Sequence, residues 1–141
     1  MRIRHALLIS LLLAASTVPA FACSCARTPT AEGLLRDAAA VFTGIVEESR
    51  SVAPGVSVTT FRISESFKGA AAGTTVRVRH PSGSSASCGV KFERGASYTL
   101  SASRGDSDSA LAATLCSTWM FAPQVGLGTA LIERTRLLRG H

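Results

Sequence analysis

The chain has few aromatic residues and no cluster of basic ones. Aromatic side chains make up 6% of its 141 residues. Its lysines and arginines are spread along the sequence, from Arg2 to Arg139. Nucleic-acid-binding domains usually combine a basic patch with aromatic side chains that stack on bases. We therefore expect no nucleic-acid partner.

The sequence also lacks the residue sets that catalysis usually needs. No Ser-His-acid set is visible, because His80 sits beside Pro81 in an apparent loop and His141 is the last residue. No Cys-x-x-Cys pair is present, although dithiol oxidoreductases usually carry one at a helix start. We expect that the protein is not an enzyme and needs no cofactor.

The four cysteines, Cys23, Cys25, Cys88 and Cys116, do not form a zinc-binding pattern. There is only one close pair, whereas structural zinc sites usually have two. We therefore expect no intrinsic metal. An even number of cysteines in an exported protein instead indicates two disulfides, with three possible pairings.

The first 22 residues read as a cleaved signal peptide. Arg2 and Arg4 precede an apolar run at 6–15, and Ala20-Phe21-Ala22 is a small-x-small cleavage site. The run is shorter than the roughly 20 residues that a membrane span needs, and no later apolar segment is long enough. We expect a secreted or periplasmic product with one domain over 23–141. Removing Arg2 and Arg4 leaves 13 basic and 9 acidic side chains, a net charge of +4.

A lipoprotein is the alternative interpretation of this N-terminus. Cys23 would then be acylated and its α-amine blocked. Lipoprotein signals favour a small residue at the position that Phe21 occupies, so simple cleavage is the favoured prediction. Cleavage after Ala22 would make Cys23 the first residue of the mature protein. Its free α-amine and its carbonyl oxygen could then chelate a transition metal.

The mature sequence predicts a mainly β domain with one short N-terminal helix and one C-terminal helix. Thr28 and Pro29 are typical of a helix start, and period-two patterns follow. A phase switch at Thr59-Thr60 predicts a β-bulge in the second strand. The predicted helices are 30–39 and 125–138, and the predicted strands are 40–46, 56–68, 75–79, 98–100 and 111–115.

Five curved strands indicate a small closed barrel. The apolar phase of these strands predicts a common interior, with Arg77 and Arg79 directed to solvent. The predicted interior residues are Phe42, Ile45, Phe61, Ile63, Val76, Val78, Leu100, Leu111 and Leu115.

Four stretches together resemble the netrin-like module, and within it the N-terminal domain of the tissue inhibitors of metalloproteinases. The resemblance covers roughly residues 23–121, in the family's order and spacing. The stretches are Cys23-Ser24-Cys25, the strand at 40–46, the strand ending Phe67-Lys68-Gly69, and the set Ser87-Cys88-Gly89, Tyr98 to Ala102 and Thr114 to Ser117.

The resemblance implies an OB-like five-stranded closed barrel and a function. It implies the disulfides Cys23–Cys88 and Cys25–Cys116, which would pin the N-terminal segment against the barrel. It also implies a secreted inhibitor of zinc metalloendopeptidases, in which the amine and carbonyl of Cys23 chelate the target's zinc. The side chain of Ser24 would enter the target's pocket, and Ala86 and Ser87 would flank it.

Two features depart from the family. Leu35 stands about where a cysteine of a third disulfide would be, and the loop joining the first two strands, 49–55, is short. A second hypothesis is therefore a non-inhibitory netrin-like binding or structural module of the cell envelope. In such a module the Cys-x-Cys segment would only stabilise the fold through its disulfides. The expected partner under the first hypothesis is a zinc metalloprotease. The sequence leaves the oligomeric state open, and a monomer is our expectation.

Overall fold

The computed structural model describes residues 30–84, 88–106, 111–119, 130, 133–135 and 137. A short helix, α1 (Ala31–Asp37), comes first. Its N-cap is Thr30, whose hydroxyl accepts a hydrogen bond from the Gly33 amide at 3.0 Å. The helix thus begins after Thr30. The predicted cap at Thr28 lies outside the described residues.

Five strands follow within the described ranges, and each of them pairs with two others. They are β1 (Ala40–Ala53), β2 (Val56–Lys68), β3 (Thr75–Pro81), β4 (Ser97–Arg104) and β5 (Leu111–Ala112). Their order, β1-β2-β3-β5-β4, closes into a barrel because β4 also pairs with β1. The β3–β5 pair is parallel and the others are antiparallel. The prediction of a mainly β fold with five strands is confirmed.

Bulges between β1 and β2 supply the curvature that a small barrel needs. The first of these register shifts lies between Val41 and Phe42, and the second lies between Thr43 and Gly44. The register shifts again between Val46 and Glu48, which pair with Phe61 and Thr60. The extra residue of this bulge is therefore Glu47, on β1. The predicted phase switch within β2 is wrong, since β2 pairs with β3 in one unbroken register.

The barrel interior is apolar over most of its length. Phe42, Phe61 and Leu100 are fully buried, and Phe42 and Phe61 meet edge-to-face with ring centroids 5.9 Å apart. Among the described residues the buried cluster contains Ala40, Phe42, Val46, Phe61, Ile63, Val78, Val90, Phe92, Leu100, Ala102, Leu111 and Ala113. Six of the nine predicted interior residues belong to it, and Val76 packs against it.

The other two predicted interior residues are placed differently. Ile45 is half-buried and outside the cluster, because the alternation that starts at Phe42 gives the inward positions to Gly44 and Val46. Leu115 is the first residue of a helix, α2 (Leu115–Trp119), and not the end of a strand. Ser117 accepts a hydrogen bond from the Thr114 amide at 2.9 Å, half of a capping box that starts the helix there. As predicted, Arg77 is exposed, whereas Arg79 is half-buried.

A second, smaller cluster joins α1 to the outside of the barrel. Ala31 and Val41 are buried in it, with Leu35, Ala38 and Phe67 packed around them. Of the predicted C-terminal helix, residues 130, 133–135 and 137 are described and helical. Arg134 lies 3.7 Å from Glu32 of α1, so these two helices are neighbours.

Candidate functional site

Most of the site predicted from the sequence lies outside the described residues. This holds for Cys23, Ser24, Cys25, Ala86 and Ser87. The other two cysteines are described: Cys88 lies between β3 and β4, and Cys116 lies in α2. Both are disulfide-bonded. Which cysteine each one joins stays a prediction.

Topology brings Cys88 and Cys116 to the same end of the barrel. β3 and β5 are neighbours and run in parallel, so their carboxyl ends lie at one end. Cys88 follows β3 and Cys116 follows β5. The pairing continues past β5, since the Ala113 amide donates to the Arg79 carbonyl at 2.9 Å. Two cysteines 28 residues apart in sequence therefore flank one edge.

The segment that carries Cys88 is folded back tightly against the end of β3. The Val90 amide donates to the Pro81 carbonyl at 3.0 Å, and the Gly89 amide donates to the Ser84 carbonyl at 3.1 Å. A Cβ atom at Gly89 would lie 2.6 Å from the Gly83 nitrogen, so this close approach requires glycine. Cys88 has a φ of 58°, which an ordinary residue adopts at a cost of about 1–2 kcal/mol.

A cleft of about 350 Å³ opens at this end of the barrel. β1 and β2 contribute Ser49 and Ser57 to its wall, and β3 contributes His80. The segment after β3 supplies the rest of the wall: Ser82, Gly83, Val90, Lys91 and Phe92. The lining residues thus include three serines, one histidine, one lysine and one phenylalanine.

His80 is the buried centre of a polar chain beside the cleft. The residue is 3% exposed, and its Nε2 lies 2.8 Å from the Thr59 hydroxyl. The Thr59 hydroxyl lies 2.8 Å from the hydroxyl of Ser49. On the other side of the ring, Nδ1 lies 3.1 Å from the Pro81 carbonyl. The prediction that His80 lies in a loop is wrong, since it is part of β3.

The carbonyl of Pro81 fixes the direction of these hydrogen bonds. A carbonyl only accepts, so Nδ1 carries the proton and Nε2 of the neutral ring accepts from Thr59. Thr59 then accepts from Ser49, whose own lone pairs remain available. Burial lowers the pKa of His80 below its ordinary value, and its backbone hydrogen bonds at Pro81 and Val90 oppose that shift. The ring is therefore neutral at pH 7.

Aromatic packing holds the imidazole in this orientation. Its ring meets Phe92 edge-on at a centroid distance of 4.8 Å. Phe92 also meets Phe61 and Tyr98, each at 5.0 Å. Phe92 lies outside the strands, in a segment whose pattern is too short to predict a core position. The Lys-Phe-Glu alternation at 91–93 was the one available sign that it points inward.

No model of a known protein family matches the chain, and no curated protein matches it. Among the described ranges, no helix is long and apolar enough to cross a membrane. Within the same residues, no three His, Cys, Asp or Glu side chains come together as metal ligands.

Proposed function

We propose that the protein is an exported inhibitor of zinc metalloendopeptidases that acts through a free N-terminal Cys23. One observation carries the proposal: Cys88 and Cys116 are both disulfide-bonded and flank one end of the barrel. If Cys23 and Cys25 are their partners, the Cys-x-Cys segment is held across that end. A segment held there would present its first residue to a partner protein.

The strand arrangement supports an OB-like assignment for the barrel. OB-folds are five-stranded Greek-key barrels, and here the parallel β3–β5 pair completes the circuit β1-β2-β3-β5-β4. The netrin-like resemblance implies the same architecture. We therefore include an OB-like, netrin-like domain at 23–141 in the proposal, preceded by a cleaved signal at 1–22.

The chemistry of the proposed contact follows from the first mature residue. An α-amine has a reference pKa near 8, so a useful fraction is neutral and able to bind zinc around pH 7. In the proposed complex the amine and carbonyl oxygen of Cys23 chelate the target's zinc, and Ser24 enters the adjacent pocket. Ala86 and Ser87 flank the same contact. An N-terminus held by disulfides loses little entropy on docking, which favours tight binding.

The test compares two forms of the mature protein in a titration of secreted zinc metalloendopeptidases. One form begins at Cys23, and the other carries one added alanine before it. The first should inhibit at least one protease, and the second should not, because its amine is displaced from the zinc. Equal inhibition by both forms would rule out chelation by the N-terminus.

The control separates loss of contact from loss of fold. Both forms should show the same disulfides and the same unfolding midpoint, since the added alanine lies outside the barrel. Replacing Ser24 with a charged residue should alter which proteases are inhibited. No inhibition by the form beginning at Cys23 would favour the non-inhibitory envelope module instead.

A further inference from the structure

We propose that the cleft at the end of the barrel is a binding site for a carboxylate group. This inference goes beyond metalloprotease inhibition and does not depend on it. The volume of the cleft, about 350 Å³, lies at the lower end of the range for small-molecule pockets. A short carboxylic acid or the side chain of a glutamate is of a suitable size. The groups that would recognise it are the hydroxyl of Ser57 and the ammonium group of Lys91.

The first observation is a buried hydroxyl group that has no hydrogen-bond partner among the described residues. Ser57 is 8% exposed and lies on the wall of the cleft. Within the described part of the chain its hydroxyl makes no hydrogen bond to the protein. Buried polar groups nearly always have a partner, and leaving one without costs about 1–3 kcal/mol. A ligand that accepts a hydrogen bond would remove this cost.

The second observation is the sign of the charge around the cleft. Lys91 is the one side chain among the eight lining residues that carries a charge at pH 7, since His80 is neutral there. No ion pair links Lys91 to an acidic side chain of the described residues. An anion in the cleft therefore gains an attractive charge and meets no like charge on the wall.

A polar chain links the three strands β1, β2 and β3 behind the wall of the cleft. The hydrogen of the Ser49 hydroxyl is committed to Thr59, and that of Thr59 to His80. His80 itself is held by the Pro81 carbonyl and by Phe92. The inward faces of β1, β2 and β3 are thereby fixed before a ligand arrives. A strand backbone that is already fixed loses little conformational freedom on binding, which favours affinity.

The experiment is a titration of the ¹⁵N-labelled mature protein with butyrate, followed by amide chemical shifts. Butyramide is the matched neutral probe, and sodium chloride keeps the ionic strength constant. Butyrate should shift the amides of Ser57, His80 and Lys91 saturably. Butyramide should bind about tenfold more weakly, because hydrogen bonds to a charged group are about twice as strong as neutral ones.

Two variants test the residues that carry the proposal. Ser57→Ala and Lys91→Gln should each weaken butyrate binding by about three- to tenfold. Their matched controls are Ser64→Ala and Lys68→Gln, which remove an exposed hydroxyl and a lysine away from the cleft. Both controls should bind butyrate like the wild type. Retention of protease inhibition by Ser57→Ala would show that the two proposals concern separate contacts.

A pair of blocked peptides distinguishes the two sources of the carboxylate. Acetyl-Gly-Glu-Gly-amide should bind if the natural ligand is an acidic side chain of a protein, and the glutamine peptide should not. Binding of butyrate without the glutamate peptide would indicate a free small acid. The proposal is overturned if butyrate gives no saturable shifts up to about 50 mM. Equal binding of butyrate and butyramide, or unchanged binding in both lining variants, would also overturn it.

Discussion

The Thr59 hydroxyl and Nε2 of His80 are 2.8 Å apart, across neighbouring strands β2 and β3. Both residues are buried, with exposures of 0% and 3%. The Thr59 hydroxyl supplies the hydrogen bond that the buried Nε2 of His80 needs, and Nε2 in turn accepts the hydroxyl hydrogen of the buried Thr59. This contact sets the boundary inside the barrel between the apolar core around Phe61 and the polar cleft lined by Ser57.

Thr59→Val should destabilise the protein by about 1–3 kcal/mol, because it leaves Nε2 of His80 buried without a donor. The matched control is Thr43→Val, which breaks the hydroxyl contact to Thr99 at 2.7 Å in a half-buried position. Water can replace that contact, so the control should lose about 0.5–1.5 kcal/mol. Urea unfolding measures both. A smaller loss at Thr59 than at Thr43 would contradict the assigned role.

The stability of the protein should fall as the pH drops through the range in which His80 titrates. Burial lowers the pKa of His80 in the folded protein, while the unfolded chain keeps a value near 6.5. Between those two pKa values the unfolded state binds more protons, so acid favours unfolding. The free energy of unfolding should decrease below about pH 6.5 and level off, for this group, below the folded pKa.

The check is urea unfolding at a series of pH values for the wild type and for His80→Gln. The variant keeps a polar side chain but has no group that titrates near neutral pH, so its slope should be shallower. The carboxylates contribute equally to both slopes and cancel in the difference. His141→Gln is the matched control and should behave like the wild type. A slope in His80→Gln as steep as that of the wild type would show that His80 is not the titrating group.

Gly69→Ala should destabilise the protein severely, by more than the same change at Gly73. Both glycines have positive φ, 74° and 80°, so alanine costs about 1–2 kcal/mol at either position. At Gly69 the added Cβ would also clash with the Ala39 carbonyl oxygen, whereas at Gly73 nothing lies within 4 Å. Thermal unfolding of the two variants measures the difference. Equal losses of stability in the two variants would mean that the backbone around Gly69 moves to accommodate the Cβ atom without a cost in free energy.

Peptide mapping without reduction should find Cys23 joined to Cys88 and Cys25 joined to Cys116. Cys116→Ser should cost about 2–5 kcal/mol, the usual loss when a small secreted domain loses a disulfide. The same mapping reports whether Cys23 is the first residue and whether it is acylated. A bond between Cys23 and Cys25 would contradict the proposed pairing and the inhibitory contact that depends on it.

Period-two patterns predicted most of the barrel wall. Phe61, Ile63, Val78 and Leu100 are apolar residues that alternate with polar ones, and all four face the interior. Such local alternation is visible without knowledge of the partner strand. The same reasoning failed at Ser57 and Thr59, which face inward although they are polar. At the polar end of the barrel the inward positions are not apolar, so the alternation of apolar and polar residues does not reveal them. The pattern there was therefore interpreted as a phase switch at Thr59-Thr60.

The connection between β1 and β2 shows a second limit of local patterns. The segment 49–55 reads as a short loop, but β1 continues to Ala53 and the turn contains only Pro54 and Gly55. Strand pairing with β2 extends β1 through a polar stretch, since backbone hydrogen bonds do not depend on the side chains. The turn residues themselves were recognisable, because Pro-Gly is typical of tight turns.

The sequence by itself determined the mainly β class, most of the core and the capacity of the four cysteines to form disulfides. These properties depend on residue type and on spacing along one segment. Only the tertiary structure decided that Cys88 and Cys116 flank the same edge, and that Ser49, Ser57 and His80 share one cleft. The physical reason is that strand order and register bring together residues that are distant in sequence. Strand pairing also decides the environment of a side chain. The sequence predicts a loop at His80, whereas in the structure β2 and Phe92 bury this residue.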